Sequence, residues 1–395
     1  MRVILARTLR RASVACLFVI LTVAMSGSSR GQDLPKLHYA GFAFAGEAGR
    51  IGKTFPNSVA INEAADASGI SPLDRQLNLL VNSAKFDHFV LTGDLGNTKT
   101  GDALALAFVL TWENLAQEPV GRDVKVTADL RAEALVFDFQ AMKVIAAYPF
   151  GLQSRQVLPA APSPGAIREI FRSMYFGSQG SIFDAFIRTL KSTDIKRSYG
   201  AYAQVTAVDI EDKAAKTFAG FQVDPDQLKG FIAEAFDASL SKNVGIPVLP
   251  YLKGQAIGGK MSARFANGNV YNLALPAPDY QIRLALRGFK KVEIDSNSAE
   301  TGFAYASYFK IGIDQPLAGK PYLDTDFKYA VTKVVPKAVE HPDDWGAYQE
   351  SMLSLLDGLS KQLSAPDDDW IEKWGGGAAT RPQLAAAAKA LARCR

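Results

Sequence analysis

Cysteine and histidine are scarce in this chain, which has two cysteines and three histidines among 395 residues. The sequence contains no C-x-x-C pair, no H-E-x-x-H motif and no spaced cluster of histidines. Structural and catalytic zinc sites depend on such sets of ligands. We therefore expect no bound metal and no cofactor.

A strong excess of charge is also lacking. The formal net charge is +4, and residues 1–32 carry five arginines and no acidic residue, so the chain without that segment has a net charge of −1. Nucleic-acid-binding domains usually carry a marked basic excess. We therefore expect no nucleic-acid partner.

The longest apolar run covers residues 12–25 and is shorter than the roughly 20 residues that a membrane-spanning helix needs. It follows Arg2, Arg7, Arg10 and Arg11 and precedes the small residues 26–29. A basic start, a short apolar stretch and small residues are typical of a secretory signal peptide. We predict a signal peptide over 1–32, a periplasmic or secreted mature chain, and no integral membrane span in that chain. Only Cys394 then remains, which excludes an internal disulfide.

Two segments show the alternation of a β-strand. In "VKVTADLRAEALVF", residues 124–137, the even positions 124–136 are apolar and the odd positions 125–133 are polar. This pattern predicts a half-buried strand whose odd face is solvated or recognises a partner. In "DALALAFVLTW" the large residues 104, 106, 108, 110 and 112 share one face, and small alanines form the other.

Helix starts are marked by capping residues. Ser71 precedes Pro72 and Asp74, and Asp224 precedes Pro225. These patterns predict that Ser71 and Asp224 cap the amino-terminal ends of two helices. Both halves of the chain can be written as a strand, a helix, several strands and a helix. We expect an α+β fold of antiparallel sheets with packed helices, in two such halves. The predicted boundaries are 33–192 for the first domain, 199–365 for the second and 366–395 for a carboxy-terminal tail.

The second half contains, in order, a strand, a helix, "PVLP", "APDYQIRLALRGF", a longer strand, "FKYAVTKVV" and a helix. This order resembles the amino-terminal domain of TolB and is similar to periplasmic domains of the curli-secretion type. The resemblance covers about 224–363 and, less completely, 37–190. The segment "QAIGGKMSARFANGNVYNLALP" is an additional hairpin region. The resemblance implies an adaptor role in the cell envelope, and those families offer no catalytic residue to carry over.

The stretch "AGFAFAGEAGRIGKTF", residues 40–55, is close to a phosphate-binding loop. Counting back from Gly52-Lys53-Thr54, the required first glycine falls on Glu47, and Pro56 disfavours helical geometry at Phe55. We predict no nucleotide binding here. The only G-x-S-x-G match, residues 27–31, lies inside the predicted signal peptide.

Three short segments have features of catalytic or metal sites, and each also has a structural interpretation. His88 fits the edge of a strand better than a catalytic triad, because the sequence lacks the motifs that usually surround a catalytic nucleophile. Residues 295–301 fit a polar turn better than a calcium loop, and Asp367-Asp368-Asp369 fits a solvated helix start. We assign no catalytic residue. Paired carboxylates for glycoside hydrolysis stay open, because their spacing depends on the fold.

Trp370 and Trp374 stand apart from the aromatic residues that the predicted strands and helices place in the core. They either pack on the body of the protein, which we favour, or form an interface for a partner. Our main hypothesis is a non-enzymatic binding or scaffold protein of the bacterial cell envelope with an envelope protein as partner. The alternatives are a periplasmic hydrolase of glycan or peptide, and a structural component of an outer-membrane complex.

Overall fold

The computed structural model describes residues 34–395 except 47–48, 65–69, 93–103, 179, 222, 252–259, 266–269, 317, 340–341 and 343. The predicted signal peptide and His341 therefore lie outside the described residues, as do residues 266–269 of the predicted hairpin region. Residues Pro35–Arg395 form one compact unit. This unit is α+β, as predicted, and contains two mixed sheets.

The first half has one strand, three helices, four strands and two helices: β1 (Lys36–Ala45), α1 (Ile51–Thr54), α2 (Pro56–Asn62), α3 (Pro72–Ser83), β2 (Val90–Thr92), β3 (Leu104–Val120), β4 (Asp123–Asp138), β5 (Lys143–Leu158), α4 (Pro164–Phe176) and α5 (Ile182–Ser192).

The second half has a similar order, with two helices before the main strands, an inserted hairpin and three helices after them: β6 (Ala203–Ile210), α6 (Asp212–Phe218), α7 (Pro225–Val244), β7 (Val248–Leu249), β8 (Lys260–Phe265), β9 (Val270–Ala274), β10 (Tyr280–Ser296), β11 (Glu300–Asp314), β12 (Leu323–Pro336), α8 (Asp344–Ser364), α9 (Asp368–Trp374) and α10 (Thr380–Leu391).

The predicted caps are confirmed. The Ser71 hydroxyl accepts a hydrogen bond from the Asp74 amide at 3.0 Å, and the Asp224 carboxylate accepts from the amides of Asp226 and Gln227. Each cap satisfies amide groups that have no partner within the helix. Local chemistry therefore fixes where α3 and α7 begin.

The two halves share one strand order. The first sheet runs β2-β1-β3-β4-β5 before the inserted strands β9-β8, and the second runs β7-β6-β10-β11-β12. The prediction of antiparallel sheets is correct only in part. In each half the first strand pairs in parallel with two neighbours, β1 with β2 and β3, and β6 with β7 and β10. The chain passes through helices between these strands, and such crossovers produce parallel pairing.

The inserted hairpin belongs to the first sheet although it comes from the second half of the chain. Strand β8 pairs with β9 and with the end of β1, and β9 meets β5 at one position, so β1-β3-β4-β5-β9-β8 closes into a ring. Mostly small and aliphatic side chains, including Ala105, Ala107 and Leu273, form one core cluster on its inner face together with Phe137. Small residues on alternate positions of β3 thus allow the strands to close around a narrow core.

Two larger cores lie outside the ring. One contains side chains of the first sheet and of α1 to α5, and the other contains side chains of the second sheet, α7, α8 and α10. Ile195 and Tyr199, at the predicted boundary between the two domains, are buried. The predicted tail folds as α9 and α10, with Leu384 and Leu391 fully buried in the second core. The domain boundaries themselves stay a prediction.

Candidate functional site

The odd face of β4 is not solvated, contrary to the sequence-based expectation. Thr127, Asp129 and Glu133 are 6%, 2% and 2% exposed, and α7 lies over this face of the first sheet near Arg131, whose guanidinium stacks on Phe231. The alternation correctly identified the strand, and Leu130 on the even face is fully buried as predicted. A pattern of alternate polar residues cannot show that a helix from the other half of the chain packs on them.

Charged side chains from both elements meet there, and we call them the polar layer: Asp129, Arg131 and Glu133 of β4, and Glu234 and Asp237 of α7. Arg131 Nη2 lies 3.3 Å from Asp129 Oδ2. Gln153 donates to the same carboxylate at 3.1 Å, and the Thr111 hydroxyl donates to Glu234 Oε2 at 3.2 Å. The layer thus holds four carboxyl groups and one guanidinium group.

Burial raises the pKa of every carboxyl group in the polar layer. The pKa of Glu234 rises to about 7, mainly through burial and against the attraction of Arg131. The pKa values of Glu133 and Asp237 rise well above their ordinary values, through burial and then the charge of Glu234. Glu133 Oε1 and Asp237 Oδ1 receive no hydrogen bond from the described residues. Such groups stay protonated where a surface carboxyl would ionise.

A cleft of about 800 Å³ opens beside the polar layer, and we call it the basic cleft. It lies between β5, α5, the segment after α5 and the carboxyl end of α7. Its charged lining residues are four basic side chains and one acid: Arg188, Lys196, Lys242, Arg395 and Asp194. Lys196 pairs with Asp194 at 3.9 Å and Lys242 with Asp357 at 3.8 Å, and the remaining excess of positive charge favours an anionic ligand.

Two tyrosines form part of the floor of the basic cleft. The hydroxyls of Tyr148 and Tyr199 are hydrogen-bonded to each other, and Tyr199 also accepts from the Lys196 amide at 3.0 Å. Burial raises the pKa of both phenols, so both are neutral at physiological pH. At the rim, Arg395 Nη2 donates to the Val244 carbonyl at 2.7 Å and caps the end of α7. The cleft is therefore preformed from several elements.

A smaller cleft of about 270 Å³ lies where β3 meets the amino-terminal part of α7 and the start of α8. We call it the amide cleft, because four amide side chains line it: Asn114, Gln117, Gln227 and Gln349. Trp112, Phe231 and Trp345 supply aromatic surface. The expectation that Trp112 shares a face with Leu110 is wrong, because the strand register shifts between these two residues. Trp112 packs against the second core instead.

The two tryptophans of the candidate interface lie against the body of the protein. The Trp370 ring is 6.3 Å from that of Phe327, and Trp374 is 4.7 Å from Tyr329. Both side chains are half-buried. They contribute to packing, and their role as an interface stays a prediction.

The other sequence motifs occupy structural positions. Ile51–Thr54 forms one helical turn, Phe55 is non-helical with φ −129° and ψ 57°, and Pro56 begins a new helix. His88 is exposed in a bend before β2. The Asn297 side chain accepts from two amides of the turn between β10 and β11, and Asp367 caps α9. The turn and the helix start are therefore confirmed.

The part of the chain that the structure describes contains no group of three histidine, cysteine, aspartate or glutamate residues placed to hold a metal ion. No helix among the same residues is long and apolar enough to cross a membrane. Neither cleft could be found from the sequence, because each combines residues more than 100 positions apart. Comparison with protein-family models and with curated proteins gives no match.

Proposed function

We propose that this chain is an exported binding protein of the bacterial cell envelope and that the basic cleft holds its ligand. The support for export is the basic and apolar pattern of the first 32 residues. The support for binding is the basic cleft, whose volume of about 800 Å³ falls within the usual range of ligand sites, roughly 300–1,000 Å³.

The ligand class follows from the charges. Three exposed basic side chains, Arg188, Lys196 and Lys242, surround a floor of neutral phenols. Guanidinium groups bind carboxylates through two parallel hydrogen bonds, and phenols donate one more. An acidic peptide segment of an envelope protein fits this lining. The ligand is therefore a carboxylate-bearing segment of a protein partner.

Binding of a fluorescein-labelled peptide of alternating alanine and glutamate tests this proposal. Arg188→Glu reverses one charge of the cleft and should weaken binding at least about tenfold, equivalent to about 1.4 kcal/mol. Arg168→Glu makes the same charge change on the exposed face of α4, outside the cleft, and should leave the affinity unchanged. Raising the salt concentration should weaken binding to the unaltered protein.

Equal affinities for the Arg188 and Arg168 variants would overturn the assignment of the basic cleft. Equal affinity for a peptide of alternating alanine and lysine would also overturn it, because the proposed recognition depends on the sign of the charge. Thermal unfolding of each variant shows whether the loss of binding comes from loss of the fold.

Hydrolysis of a glycan or peptide is the second candidate, and Glu234 is the observation that favours it. A carboxyl group with a pKa of about 7 is suited to general acid catalysis at neutral pH. Against it, Asp129, Glu133 and Asp237 are each only 2% exposed and cannot reach a substrate without movement of α7. A chromogenic glycoside and casein test this candidate. Turnover that Glu234→Gln abolishes would favour the hydrolase over the binding protein.

A further inference from the structure

A β-bulge in β3 turns Trp112 into the amide cleft. Leu110 pairs with Ala132 and Trp112 with Arg131, so one extra residue of β3 lies between two consecutive positions of β4. Bulges of this kind redirect a side chain and are common beside functional sites. The large side chains at even positions before the bulge, such as Phe108 and Leu110, face the first core, whereas Trp112 packs on the second.

Helix α7 leaves space for this indole. A Cβ atom at Gly230 would lie 3.2 Å from the Trp112 ring, so the glycine permits the helix to approach closely. Glycine in the middle of a helix is unfavourable relative to alanine, and its presence often has a packing or functional reason. The position of Trp112 at the wall of the cleft is therefore built by both β3 and α7.

The indole nitrogen of Trp112 is buried and donates no hydrogen bond to a described residue. Buried indole N–H groups usually have a partner, since an unpaired donor loses its hydration without compensation. Trp112 lines the amide cleft, and a small rotation of its indole would bring this buried donor to the cleft surface, where an acceptor can meet it.

Both acidic side chains among the described residues that line the amide cleft have hydrogen-bond or ion-pair partners within the protein. The Asp224 carboxylate accepts two amide hydrogen bonds as the cap of α7, and Glu118 pairs with Lys125 Nζ at 2.7 Å. The four amide side chains each offer both a donor and an acceptor. Such a lining recognises a neutral ligand whose groups also donate and accept.

We propose that the amide cleft binds a neutral saccharide. Each sugar hydroxyl both donates and accepts, which matches the amides, and one hydroxyl oxygen can accept from Trp112 Nε1. The apolar face of a sugar ring packs on the half-buried indole of Trp112. The volume of about 270 Å³ limits the bound part to one or two sugar rings. This site is separate from the basic cleft, so it does not depend on the function proposed there.

Isothermal titration calorimetry of the full chain with glucose, galactose, N-acetylglucosamine and their disaccharides tests the proposal. Trp112→Phe keeps an aromatic ring but removes the N–H donor, and Gln349→Ala removes one amide. Each change should weaken binding of the preferred sugar about tenfold, because the loss of one hydrogen bond changes the binding free energy by about that amount. Gln140→Ala, in the exposed turn after β4, is the matched control and should bind as the unaltered protein does.

The proposal would be overturned if no sugar bound at a concentration of about 10 mM. A dissociation constant above that concentration corresponds to a binding free energy weaker than about 3 kcal/mol. Binding that survives both Trp112→Phe and Gln349→Ala would place the sugar elsewhere and would overturn it as well. Thermal unfolding of each variant separates a folding defect from a binding defect, and Arg188→Glu should leave sugar binding unchanged. A loss of peptide binding in that variant with intact sugar binding would distinguish the two sites.

Discussion

Replacing Glu234 by glutamine should make the protein more stable at alkaline pH. Glu234 lies in the polar layer with three other carboxyl groups, and its pKa rises from the ordinary value of 4.5 to about 7. A carboxyl group with a raised pKa binds its proton more tightly in the folded state than in the unfolded state. Its contribution to stability is therefore full below pH 4.5 and is lost as the pH rises through 7.

The size of this loss follows from the pKa values. The difference between 4.5 and about 7 corresponds to about 3 kcal/mol of unfolding free energy. Because Glu234 is partly exposed, solvent screening reduces this, and we expect about 2 kcal/mol. Glutamine cannot ionise, and its carbonyl oxygen can still accept from Thr111. Removing the charge of Glu234 also relieves Glu133 and Asp237, whose pKa values that charge raises.

Urea denaturation between pH 5 and pH 9 measures this effect. The unaltered protein should lose stability across neutral pH, whereas Glu234→Gln should lose less and be the more stable of the two at pH 8. Glu169→Gln, on the exposed surface of α4, is the control and should follow the unaltered protein. If Glu234→Gln were less stable than the unaltered protein at pH 8, our account of the polar layer would be refuted.

Three other predictions concern the sheet, a close contact and export. Leu130→Asp should prevent folding because it buries a charge in the first core. Arg131→Ser should cost about 3 kcal/mol in urea denaturation because it removes the cation bonded to the buried Asp129 carboxylate. A loss below about 0.5 kcal/mol at Arg131 would mean that this face is solvated after all. Gly358→Ala should cost about 1–3 kcal/mol because the new Cβ would lie 2.9 Å from the Trp370 ring, whereas the exposed Gly165→Ala should unfold as the unaltered protein does. Amino-terminal sequencing of the exported protein should find cleavage before about residue 33, and an intact Met1 in a membrane fraction would contradict this.

Local patterns in the sequence determined the elements of the fold. The alternation at 124–137 predicted β4, and Ser71 and Asp224 predicted the starts of α3 and α7, because strand periodicity and capping depend on neighbouring residues. The repeated order of strands and helices likewise predicted the α+β class and two halves of similar order. The shared strand order of the two sheets agrees with that reading.

The tertiary structure decided what each face of those elements contacts. Asp129 and Glu133 look like surface residues in the sequence, yet they are buried because α7, about 100 residues further along, packs on them. The bulge before Trp112 places the Trp112 side chain on the opposite face of the strand. One extra residue in a strand moves every later side chain to the other face. Both clefts form where segments from the two halves meet. The sequence therefore fixes elements by short-range chemistry, whereas long-range packing creates the candidate sites.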